Sequence, residues 1–168
     1  PALEYRLYAA DKNVKPESIA RALEGGKKLQ KIGRNRWIFN REITGKMTVK
    51  ELSAADVKWS REAPPLIARA MVLAGKTLFV AGPPDLLDEE AAVRRRFDTD
   101  VQKRIADQDA AMDGKKGAAL WAVSAADGKR LAELKLDATP VWDGLAAARG
   151  RLYMATTDGN VRCFAEGK

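Results

Sequence analysis

The 168-residue chain contains no histidine and a single cysteine, Cys163. Without histidine it lacks the residue that most often serves as general base or metal ligand near neutral pH. Ser-His and Cys-His nucleophile pairs are excluded within the chain for the same reason. One cysteine forms neither an intrachain disulfide nor a Cys-x-x-Cys knuckle or redox pair. No apolar run approaches the roughly 18 residues or more of a membrane-spanning helix. The opening PALEYRLYAAD has no initiator Met, no charged leader and no apolar signal core, and reads as an internal piece, excised or processed from a longer chain.

What is present suits one β-rich domain. The chain is 46% hydrophobic, enough for a sizeable core, and its length fits a single domain with an insertion. The excess of 30 basic over 23 acidic residues, a formal charge of +7, permits an acidic partner without requiring one.

Leu3, Tyr5 and Leu7 alternate with Glu4, Arg6 and Tyr8, a strand pattern that ends in the turn residues Asp11-Lys12-Asn13. A short helix follows, opened by Pro16, carrying Ile19 and Leu23, and stopped at Gly25-Gly26. Residues 27–41 read as a basic loop feeding a short strand at Trp37-Ile38-Phe39. The polar text up to Pro64-Pro65 reads as irregular, so residues 13–65 form the less regular part. From Leu66, LIARAMVLAGKTLFVAG reads as a hairpin around Gly75-Lys76. Asp85 is a candidate cap for one amphipathic helix of about 25 residues with Val93, Phe97, Val101 and Ile105 on one face, breakable near Thr99-Asp100 and ended by Gly114. Strands then return on either side of Asp127-Gly128, and two more flank Asp158-Gly159.

The hairpin text repeats. AMVLAGKTLFVAG (residues 70–82) aligns with LAAARGRLYMATTDG (residues 145–159), pairing Gly75 with Gly150, 75 residues apart. Removing the 34 residues of a helical insertion at 83–116 leaves 41, close to one propeller blade of roughly 40 residues. A fainter echo links LYAADKN near the start with VSAADGK at Val123–Lys129. The fold class expected is therefore mainly β: a partial β-propeller of about two blades of antiparallel strands spanning residues 1–168, interrupted by an amphipathic helical insertion. Ala146, Ala147, Ala148 and Ala155 suit strands where sheets crowd together. A final blade short of chain needs an outer strand from elsewhere, and ALEYRLYAAD is one candidate.

The tract from Leu120 to Phe164 resembles the repeats of pyrroloquinoline-quinone-binding-like β-propeller proteins, above all the large uncharacterised members of the planctomycete-type group. The matching pieces are Ala126-Asp127-Gly128-Lys129, Pro140-Val141, Asp143-Gly144 and Asp158-Gly159, with MVLAGKTLFVAGPPD (residues 71–85) similar as well. The resemblance covers about 100 residues from Leu66 onward and corresponds to the C-terminal portion of such a protein. It implies a bacterial, extracytoplasmic location, periplasmic or exported. In the family's quinoprotein dehydrogenases a Trp follows the Gly-Lys-x-Leu turn; here Gly128-Lys129-Arg130-Leu131 is followed by Ala132. The vicinal cysteine pair of those enzymes is also missing, as is a matching calcium-binding context. Pyrroloquinoline quinone is thus suggested by the family's name alone, and no cofactor is expected.

Each conspicuous residue has a plain reading. Asp127, Asp143 and Asp158 each precede a glycine and read as turn residues before they read as an acidic site. Trp121 and Trp142 read as core or inter-blade packing, and Trp59 is less decided. Lys27, Lys28, Lys31, Arg34, Arg36 and Arg41, interleaved with Trp37 and Phe39, make the best nucleic-acid pattern, against a reading as solvated loop. Arg94-Arg95-Arg96, beside Asp98 and Asp100, reads as a solvated helix face. The helix packs its stripe on the blade it interrupts, or else serves as a lid or docking surface. No catalytic or metal-binding residues are picked out. The leading function is a non-catalytic propeller-type binding or scaffold module. The alternatives are part of a propeller enzyme, quinoprotein-like oxidoreductase or hydrolase, with active residues outside this chain, and a binder of nucleic acid or another anionic polymer through residues 27–41. The partners expected are further blades of a parent protein or a second copy, with a protein or polysaccharide ligand.

Overall fold

The computed structural model describes residues 5–32 and 53–165. Strand β1 (Arg6–Ala10) and strand β2 (Val57–Glu62) form a two-stranded sheet. Strands β3 (Ala70–Ala74), β4 (Thr77–Gly82), β5 (Ala118–Ser124) and β6 (Arg130–Leu136) form a four-stranded sheet in chain order. Strands β7 (Pro140–Ala148), β8 (Arg151–Thr156) and β9 (Val161–Ala165) form a three-stranded sheet. Every pairing in these last two sheets is antiparallel. The protein is mainly β, with helices α1 (Pro16–Ile32), α2 (Glu89–Arg94) and α3 (Thr99–Met112). Among the described residues, no helix is long and apolar enough to cross a membrane.

The described residues fall into two compact units: residues 8–60, and residues 61–165 with 5–7. In the first unit, α1 runs through Gly25-Gly26 to Ile32, so the expected stop there and the loop from residue 27 are both overturned. Ala20, Ala22, Leu23, Lys27 and Lys28 are all good helix formers, and their sum outweighs two glycines at about 1 kcal/mol each. Asp56 anchors this unit: it accepts a hydrogen bond from the buried Ser18 hydroxyl at 2.9 Å and pairs with Arg21 at 3.4 Å. These contacts, the Ser18 hydroxyl foremost, hold its carboxyl below the usual range. The text around VKWSRE, expected to be irregular, is strand β2. Its alternation of half-buried Val57, Trp59 and Arg61 with exposed Lys58, Ser60 and Glu62 is a period-two signal. The expected short strand at residues 37–39 lies outside the described residues.

In the second unit the expected hairpins form. Gly75 and Gly150, at φ 60° and 71°, make the β3–β4 and β7–β8 turns, where a left-handed residue is needed. The text after Pro140 supplies three strands rather than two. Asp143-Gly144 is not a hairpin turn. It is a bulge inside β7, where the register with β8 shifts between Pro140 and Leu145 and Asp143 itself takes φ 54°. The N-terminal strand pairs with β2 and not with the last sheet, so the idea that it completes that sheet is overturned.

The expected single long helix is two. Asp88, not Asp85, caps α2, accepting from the Ala91 amide at 2.7 Å. The chain turns at residues 95–98, where Arg95 bonds Asp98 and Asp100 across the break at 2.8 and 3.0 Å. The break rotates the stripe apart: Val101 is buried, but Val93 and Phe97 are 55% and 83% exposed. Gln108 takes over the docking. Its side chain accepts from the Leu86 amide and donates to the Pro84 carbonyl, satisfying two backbone groups just past β4.

Candidate binding groove between the two sheets

Register decides which side chains face the gap between the four-stranded and three-stranded sheets. The pairings Ala70–Ala81, Ala118–Leu136 and Leu120–Leu134 place these residues on one face of the first sheet. Leu145–Met154, Ala147–Leu152 and Leu152–Phe164 share one face of the second. The two faces meet in a single buried cluster that includes Ala70, Ala81, Ala118, Leu136, Leu145 and Met154. Three alanines in that cluster let the sheets approach closely.

Toward the Gly75 and Gly150 turns the same faces line an open groove of about 810 Å³. One wall carries Ala74, Phe79, Leu120, Ala132 and Leu134; the other carries Ala147, Leu152 and Phe164. Among the described residues, the charged ones lining it are Arg149 and Arg151. The arrangement can hold an extended apolar ligand with a negative group at the arginine end; among the described residues it presents no paired acid and base. A second, more polar hollow of about 470 Å³ is lined by Pro64, Pro65, Asp85, Leu86 and Arg104, beside the α2 cap Asp88.

Trp121 is 1% exposed on the opposite face of the four-stranded sheet, covered by the guanidinium groups of Arg61 and Arg130 at 5.3 and 5.0 Å from its ring. This agrees with its reading as packing. Trp142 does not: it is 66% exposed, with Arg69 5.5 Å from its ring. Ala146, Ala147 and Ala148 are exposed as well, not crowded. Arg69 is a residue that sequence patterning passes over. Its amide bonds the Ala81 carbonyl, its carbonyl accepts from the Asp143 amide, and its guanidinium donates to the Met112 carbonyl. One residue thereby ties α3 to both sheets.

The three aspartates stay in separate elements. Asp127 sits in the β5–β6 turn and accepts from the Lys129 amide at 3.2 Å, with Gly128 at φ 73°. Asp158 sits in the β8–β9 turn and accepts from the Thr156 hydroxyl at 2.5 Å and the Asn160 amide at 3.2 Å. The Thr156 hydroxyl, with Asn160 and Arg162, holds the Asp158 carboxyl far below the usual range. Arg162 also pairs with Asp137, whose carboxyl it holds down. Among the described residues, no group of three or more His, Cys, Asp or Glu side chains is placed to hold a metal ion.

Of the basic stretch, Lys27 pairs with Glu24 at 3.7 Å and Lys28 is exposed on α1. The Lys31 side chain, Arg34, Arg36, Trp37, Phe39 and Arg41 lie outside the described residues. Arg95 is held by Asp98 and Asp100, and Arg96 stacks on Phe97 at 4.5 Å, both on exposed surface. Sequence reasoning also missed the groove. Its signal was the alternation of Ala132, Leu134 and Leu136 with Glu133 and Lys135 along β6. No family model matches the chain, and no curated protein matches it.

Proposed function

We propose that the protein is a non-catalytic binding or scaffold module of the propeller type, in which successive sheets stack as blades and the grooves between them receive a partner. The observation that carries this reading is the structural echo between β3–β4–β5 and β7–β8–β9. Both are antiparallel and in chain order, and both open with a hairpin at a left-handed glycine. Their facing surfaces share one apolar cluster. A small sheet cannot bury both faces by itself, and stacking on a neighbour is the general solution. The outer face of the three-stranded sheet, with Tyr153 and Ala155 half-buried and Val161 70% exposed, is the surface on which a further sheet would stack.

Calorimetric titration with pyrroloquinoline quinone plus calcium tests the reading. No saturable heat is expected. A measurable isotherm would replace the scaffold with a quinoprotein-like enzyme fragment.

A further inference from the structure

The two facing sheets are unequal: four strands lie against three. In the four-stranded sheet the third strand, β5, carries β6 on its outer side. In the other sheet, among the described residues, the third strand, β9, pairs with β8 alone. Among the described residues, the three-stranded sheet therefore has no fourth strand to lie opposite β6, and the exposures agree. Leu134 shares a face with the buried Leu120 and Leu136, yet it is 46% exposed.

Among the described residues, the outer edge of β9 is unpaired, and in a definite way. The Thr156 amide bonds the Asn160 carbonyl, which sets the phase of the β8–β9 ladder. Because bonded pairs alternate, Arg162 and Phe164 direct their amides and carbonyls to β8, whereas Val161, Cys163 and Ala165 direct theirs outward. We propose that the groove between β6 and the β9 edge is a docking site for one extended peptide strand, added antiparallel to β9, with apolar side chains at alternate positions and an acidic residue at its leading end.

Period two sends every second side chain of such a strand onto Ala132 and Leu134 and the rest to solvent. An antiparallel strand begins opposite Ala165, which pairs with Arg151. Arg151 and Arg149 line the groove there, so the negative residue belongs at that end. The β9 edge of a second copy does not fit. Two-fold antiparallel pairing would keep both inner faces on one side. The partner's four-stranded sheet, which packs on the inner face of its own three-stranded sheet, would then need the space that β6 occupies. A single strand brings no covering sheet and meets no such clash. The proposal deepens the binding-module reading and rests on it. The two fail separately: heat with quinone and calcium removes that reading, and a silent peptide removes only the strand site.

The test uses the whole chain and a fluorescein-labelled peptide amide, Asp-Val-Thr-Leu-Thr-Val-Lys, read by anisotropy and by amide hydrogen exchange at residues 161–165. Saturable binding is expected, with slowed exchange confined to the outward amides of β9. A probe methylated at alternate backbone nitrogens, which cannot donate to the edge, is expected to bind about tenfold more weakly or worse, a loss of roughly 1.4 kcal/mol. Cys163→Pro removes an outward amide at an edge position where proline is tolerated, and the same loss is expected. Leu134→Glu, which charges the apolar wall, is expected to weaken binding similarly. Absence of saturation at about 1 mM peptide, or equal binding of the methylated probe, overturns the proposal. So does protection of β9 that grows with protein concentration and dimer mass in the absence of peptide.

Discussion

A methyl group at Gly82 would lie 1.7 Å from the carbonyl oxygen of Ile67 and 3.2 Å from the amide of Arg69. Both neighbours are backbone, and Ile67 is itself bonded through its amide to the Pro83 carbonyl, so neither has room to yield. Gly82→Ala is therefore expected to destabilise the fold by about 3 kcal/mol or more, the upper range of overpacking. Urea unfolding checks this, and a loss under about 1 kcal/mol would refute the close approach. In the sequence Gly82 reads only as the end of GKTLFVAG. The backbone it touches runs fifteen residues earlier, and no local pattern reveals a tertiary approach. The tryptophans teach the same point. Trp121 and Trp142 both sit in strand text, but one is covered by Arg61 and Arg130 and the other stands at the β7 bulge, where its neighbour Asp143 has left-handed φ.

Among the elements, strands were more legible than helices. Period-two alternation and turn glycines placed β3 to β6 and β8 correctly, because both signals are local. Helix limits depend on sums of weak propensities, and α1 went past its expected stop. Gly26 lies inside that helix, with open space where a side chain would go. Gly26→Ala is expected to stabilise the unit by about 0.5–1 kcal/mol through propensity alone. Thermal melting followed by circular dichroism reads this, and a lower Tm would mean that the helix does not continue there. The break between α2 and α3 was hard to see for a related reason. The i,i+4 stripe continues unbroken through it in sequence, while the Arg95–Asp98–Asp100 bonds stabilise a turn.

At the scale of the whole molecule, the sequence suggests a 75-residue echo between Gly75 and Gly150, and the two glycines make left-handed hairpin turns in two different sheets. It could not convey the groove, because a groove depends on which strand lacks an opposite number. Charge is also distributed at this scale. Asp56, Asp127, Asp137 and Asp158 all have carboxyls held below their ordinary range, each by hydrogen bonds, with basic neighbours adding. A carboxyl depressed in the folded state contributes stability above its unfolded pKa, near about 4, and loses it as the pH falls through the folded value. The Tm is expected to hold from neutral pH to about 5 and to fall steeply below about 4. Asp158→Asn should lower the plateau and flatten that acid limb. An unchanged limb would show that Arg162 and Thr156 do not favour the charged form. The shielding of Trp121 beside the openness of Trp142 also makes the molecule its own optical instrument. The four-stranded sheet carries one sealed indole and the three-stranded sheet one bathed in solvent, beside Trp59 in β2 and Trp37 elsewhere in the chain. In a Trp37→Phe, Trp59→Phe variant, a collisional quencher such as acrylamide will thus dim the three-stranded sheet's emission while the four-stranded sheet still glows. The loss of that contrast on heating dates the opening of the Arg61–Trp121–Arg130 stack.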